Sequence, residues 1–99
     1  MTMPKNKNTP PEYDLAIVGG DGIGPEVCAA ALQVIKAAVG SERTLSCVEY
    51  EAGANCFTRT GIAFPEKTLE GCRQADAVLH GAAGLPGVLY PDGTEAGQD

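Results

Sequence analysis

Asp14-Leu15-Ala16-Ile17-Val18 runs into Gly19-Gly20-Asp21-Gly22-Ile23-Gly24 and then into Pro25-Glu26. A short apolar run ending in glycines is how a buried parallel strand reads. Pro25 then stands where a helix opens, because its missing N–H costs nothing at the first helical position. Glu26 in the first turn complements the helix dipole. The stretch therefore reads as strand, tight turn and helix.

The pattern continues outward from this unit. Val27, Ala30, Ala31, Val34, Ile35 and Ala38 recur with the spacing of one helix face. Leu32 and Val39 widen that stripe, and Gly40 is a C-terminal stop. Leu45, Cys47 and Glu49 alternate with Ser46, Val48 and Tyr50, which predicts a second strand. Gly53 to Gly61 predicts a short helical turn capped by Gly61. Pro65 opens a short helix over Glu66–Gln74, whose apolar positions are Leu69 and Cys72. Asp76 to Gly81 predicts a third strand, and from Ala82 onward the chain reads as a loop rich in Gly and Pro. Strand, helix, strand, helix, strand is the order of an α/β sheet with crossover connections. In such sheets ligands bind at the carboxyl ends of the strands. Two glycine-rich segments fall there, 19–24 and 81–87.

Composition bounds the function. The 99 residues are 43% hydrophobic and 20% charged, with a net charge of -6. An acidic chain argues against a nucleic-acid partner, since basic clusters supply affinity for phosphates. No apolar run approaches the ~20 residues of a membrane-spanning helix. Residues 1–12 are polar, lack the apolar core of a secretory signal and predict a disordered lead-in. Cys28, Cys47, Cys56 and Cys72 form no C-x-x-C pair, and there is one His, so the usual zinc spacings are excluded. The thiols read as small buried residues of a reducing, cytoplasmic protein.

Gly20-Asp21-Gly22-Ile23-Gly24 is G-x-G-x-G, whereas the dinucleotide fingerprint of the Rossmann fold is G-x-G-x-x-G. Pro25 starts the helix one residue early, so this turn is not that fingerprint. As a string, however, Gly20-Asp21-Gly22-Ile23-Gly24-Pro25-Glu26-Val27 resembles the opening of the isocitrate/isopropylmalate dehydrogenase family. Two further blocks resemble the same family in order, Gly61 to Cys72 and Ala75 to Pro86.

The resemblance implies an incomplete N-terminal part, residues 13–99, of the family's first α/β domain, which is not Rossmann. It implies a homodimeric enzyme that oxidises the 2-hydroxyl of a malate-like dicarboxylic acid by hydride transfer to NAD or NADP, with loss of carbon dioxide. A divalent ion, Mg or Mn, serves the reaction by polarising the forming keto group. The family's arginine clamp, catalytic Tyr and Lys, and metal-binding Asp residues have no counterparts here, so no catalytic or metal-ligating residue is assigned. Arg43, Arg59 and Arg73 read as solvated surface residues, and His80 as structural. The resemblance places Ile23 against the cofactor's adenosine and makes Ala83-Gly84-Leu85-Pro86 the cofactor-side loop. It places Glu95 near the nicotinamide ribose. Each of these positions also admits plain turn chemistry.

Some positions depart from the family. Gly19 stands where many members have Pro, and Leu85 where isopropylmalate enzymes commonly have Gly. Gln98 falls at the position facing the substituent on the substrate's third carbon. An amide unpaired beside an isopropyl group costs about 1–3 kcal/mol, so Gln98 favours a more polar acid such as malate, tartrate or isocitrate. The tail 95–99 reads as cut in mid-sequence. A different reading of the same residues is a small non-catalytic α/β module that binds a nucleotide.

Overall fold

The computed structural model describes residues 12–96. Strand β1 (Glu12–Gly20) leads into helix α1 (Gly24–Val39), followed by β2 (Thr44–Tyr50). Helices α2 (Ala54–Thr60) and α3 (Glu66–Gln74) then precede β3 (Ala77–Ala82). The three strands are parallel in the order β2-β1-β3, so the apolar run Asp14–Val18 lies in the central strand. Strand β1 begins at Glu12, one residue inside the expected lead-in, most of which lies outside the described residues.

Register explains the two faces. Leu15 pairs with Cys47 on one side and Ala77 on the other, and Ile17 pairs with Glu49 and Leu79. Side chains alternate along a strand, so Leu15 and Ile17 share a face. Against it packs α1 through Cys28, Leu32 and Ile35, joined by Leu45, Cys47 and Leu79. On the other face lie Ala16 and Val18, both fully buried, beside the half-exposed Val48 and Val78. Helix α3 covers part of that face at the β2 edge, where the Tyr50 ring fills the space a side chain on Gly71 would need.

The element boundaries match the sequence reading closely, but two helix faces do not. Of the expected α1 stripe, Val27, Ala30, Val34 and Ala38 are exposed, Val34 at 70%, while Ala31 and Ile35 are part-buried. The side against the sheet is Gly24, Cys28, Leu32 and Ile35, which shares Ile35 with the expected stripe and is otherwise rotated from it by about one residue, or ~100°. In α3 the fully buried residue is Thr68, whose hydroxyl donates to the Glu51 carbonyl at 2.6 Å. Leu69 is left half-exposed. The tail is also more ordered than a plain loop. Leu89 and Glu95 form an antiparallel bridge, flanked by Tyr90 N–H to Thr94 carbonyl at 2.8 Å and Ala96 N–H to Val88 carbonyl at 2.9 Å.

Candidate functional site

The turn between β1 and α1 is built by close backbone approach. A Cβ on Gly24 would overlap the carbonyl oxygens of Gly19 and Ala82, and one on Gly81 would overlap the Gly19 carbonyl. The glycines thus let the end of β1, the start of α1 and the end of β3 touch without side chains between them. The Gly24 N–H already donates to the Asp21 carbonyl at 2.8 Å, and Pro25 has none to offer. Little remains of the ring of free donors by which a helix start holds a pyrophosphate. This agrees with reading the glycines as packing residues rather than as a Rossmann fingerprint.

Asp21 is the centre of this turn, and the sequence reading missed it. It is 2% exposed. Its N–H donates to the Ala82 carbonyl at 2.7 Å. Its Oδ2 accepts from the N–H groups of Ala54 at 2.6 Å and Gly84 at 2.8 Å, and its Oδ1 from Asn55 N–H at 2.8 Å. Burial pushes its pKa up. The N–H donors of Asn55, Gly84 and Ala54 outweigh that and hold the carboxyl below its usual value. A signal for Asp21 does exist in the sequence. Helix α2 starts at Gly53-Ala54-Asn55 and has no side-chain cap of its own. Its first N–H groups therefore need an acceptor from elsewhere in the chain, and a lone acid among glycines at a strand end is a fit one. Gly53 (φ 109°) and Gly84 (φ 98°) hold backbone that other residues rarely adopt. At Gly53 a Cβ would also collide with the Asp21 carboxylate.

Among the expected cofactor residues, the structure brings two segments together. Ile23 caps the start of α1 and is 67% exposed. Next to it, Gly22 faces the Leu85 side chain, 3.9 Å from the position of a Cβ. Ala83, Gly84 and Leu85 are half-buried and Pro86 is exposed. An exposed apolar side chain beside a backbone-lined turn, at the carboxyl ends of β1 and β3, suits the flat apolar face of a nucleobase. Glu95 sits exposed on the bridge that follows the loop. That bridge rests on α2 through the Tyr90 ring, edge-on to Phe57 with centroids 4.9 Å apart. Gln98 lies outside the described residues. His80 is exposed, and its Nδ1 contacts the Gly81 carbonyl. Arg59 is exposed and pairs with Glu51.

A cavity of about 500 Å³ lies between α1, the end of β2 and α2. Cys28, Leu32, Lys36, Glu49 and Arg59 line it, and none of Ile23, the 83–86 loop or Glu95 does. Among the described residues no three His, Cys, Asp or Glu side chains gather to hold a metal ion. No helix among them is long and apolar enough to cross a membrane.

Comparison with known proteins gives a consistent result. The family model described as isocitrate/isopropylmalate dehydrogenase matches residues 14–97. A 3-isopropylmalate dehydrogenase of Wolinella succinogenes is 42% identical over 88 residues, covering 82% of this chain and 25% of that protein. The Frankia casuarinae 3-isopropylmalate dehydrogenase is 47% identical over 74 residues, covering 75% and 21%. Among solved structures, a β-decarboxylating dehydrogenase from Thermococcus kodakarensis in its apo form is 42% identical with a TM-score of 0.66. It covers 78% of this chain and 22% of its own. The isocitrate dehydrogenase of Methylococcus capsulatus is 28% identical, with the same TM-score of 0.66, and covers 79% and 22%. The chain spans about a quarter or less of the length of the curated relatives it matches.

Proposed function

Since this chain belongs to the isocitrate/isopropylmalate dehydrogenase family, we propose that it supplies the cofactor side of an NAD(P)-dependent β-decarboxylating dehydrogenase. The observation that carries this reading is the assembly at the carboxyl ends of β1 and β3. There Ile23 stands exposed beside Gly22, and Leu85 closes against the same turn. Ile23 packs on the adenosine, and the Ala83–Pro86 backbone walls the other side. When bound, the nicotinamide cofactor accepts the hydride from the substrate's 2-hydroxyl carbon. Glu95 serves the nicotinamide ribose in this reading. None of residues 1–99 is assigned a catalytic role, so the 99-residue chain by itself is expected to be inactive. The Mg or Mn ion finds no ligand set among the described residues.

The substrate is a malate-like 2-hydroxy dicarboxylic acid that loses its 3-carboxylate as carbon dioxide. Gln98 favours a polar substituent at the third carbon, hence malate, tartrate or isocitrate over isopropylmalate. The active form is a homodimer in the cytoplasm. The test is a panel of these four acids with NAD and with NADP, assayed on a complete dehydrogenase subunit that carries these residues. Reduced nicotinamide and carbon dioxide are expected together from at least one acid. No turnover with any pair would overturn the enzymatic reading, and a clear preference for isopropylmalate would overturn the role given to Gln98. Binding of NAD without turnover would instead match a non-catalytic nucleotide module.

A further inference from the structure

We infer that Asp21 is a positioning residue for the cofactor-side loop: its carboxylate ties Gly84 to the first turn of α2 and so sets Ala83–Pro86 against Ile23. The role rests on the cofactor reading above and adds to it a residue that touches no substrate.

Four observations carry it. First, the Gly84 N–H to Asp21 Oδ2 bond ties the 84–87 turn to the β1–α1 turn, whereas Val88 N–H to the Leu85 carbonyl closes the turn on itself. Secondly, the acceptor is shared. Oδ2 takes Gly84 and Ala54 together, and Oδ1 takes Asn55, so one carboxylate reports the position of α2 to the loop. Thirdly, the group is buried and its charge is met by backbone donors alone, a charge-assisted arrangement that is stiff because none of its partners can rotate away. Fourthly, α2 extends the linkage. Its Phe57 holds Tyr90 on the bridge that carries Glu95. Asp21 is therefore the junction between the Ile23 turn, the 83–86 loop and, through α2, the Glu95 bridge. An N-cap for α2 alone would need Ala54 and Asn55 but not Gly84.

The test uses Asp21→Asn in a complete dehydrogenase subunit that carries these residues, with NAD and NADP as probes. An amide keeps the shape but presents N–H groups where the backbone needs an acceptor. Amide exchange at Gly84 is expected to quicken by at least about tenfold, the scale of one lost charge-assisted bond. Exchange in the middle of β1 should stay as it was. The nucleotide dissociation constant and KM should rise by about tenfold or more, with kcat changed less than about twofold, the pattern of lost binding rather than lost chemistry. A variant with a freed Gly84 amide but unchanged nucleotide affinity would show a cap and nothing more, and would overturn the proposal. Unchanged exchange at Gly84 would overturn it too. Should the variant not fold, the wild-type protein answers. Saturating nucleotide is expected to slow exchange at Gly84, Ala54 and Asn55 together, and slowing at Gly84 alone would refute the coupling. Wild-type protein that binds neither nucleotide, while its three amides remain protected, removes the cofactor reading of the loop and this role with it.

Discussion

Asp21 sets how the molecule should respond to acid. Its pKa in the fold lies below the ordinary value because three N–H donors outweigh the cost of burial. A carboxyl of this kind adds stability at pH above its unfolded value of about 3.9. That stability is lost as pH falls through the lower, folded value. Urea unfolding followed by circular dichroism is therefore expected to show stability declining on the acid side of about pH 4. In Asp21→Asn the same decline should be shallower, from a lower starting point, because the titrating group is gone. An acid limb identical in the two proteins would mean that other carboxyls carry it. Asp21 was hard to read from sequence because its partners, Ala54, Asn55 and Gly84, stand 33 to 63 residues away. They take part through backbone N–H groups, which every residue but Pro possesses. No residue type marks such a partner.

The helices show where periodicity informs and where it misleads. Gly40, Gly61 and Pro65 punctuate the chain, and the observed ends of α1, α2 and α3 fall beside them. The face of α1 was not legible in the same way. Ala and Val populate two adjacent stripes, so apolar spacing alone suits either. The choice was made by the tight contact of Gly24 with Gly19 and Ala82, which fixes how the helix is rotated on the sheet. Two members of the stripe read from sequence are told apart by Val34→Ala and Ile35→Ala. Val34 is exposed, and its truncation should change stability by less than about 0.5 kcal/mol. Ile35 is part-buried against the core, and its truncation should cost about 2 kcal/mol. Thermal or urea unfolding checks the pair, and the reverse ranking would put the Val34 side of the helix against the sheet. In α3 the buried Thr68 displaced Leu69 because its hydroxyl finds the Glu51 carbonyl, a partner supplied by the end of β2.

Across the whole molecule the sheet is covered unequally. One face has α1, while the other has α3 along the β2 edge only. Val48 and Val78 are 49% and 46% exposed there, flanking the buried Ala16, and Val18 on the same face is fully buried. Val18→Ala should therefore cost about 2 kcal/mol, and Val78→Thr less than about 0.5 kcal/mol, in unfolding of the 99-residue chain. A large cost at Val78 would show that the open face is covered in solution.

By itself the sequence determined the α/β class, the six elements and their order, and the family, because these depend on local signals. Glycine and proline set breaks, apolar runs set strands, and three ordered blocks carry the resemblance. It also singled out Ile23 and the 83–86 loop. Only the tertiary structure decided which helix face is buried, that Glu95 stands on a bridge resting on α2, and that a single carboxylate joins the turn, the loop and α2. Those facts are made by backbone groups meeting across long stretches of chain, and backbone groups are the same at almost every position, so no pattern of side chains announces them.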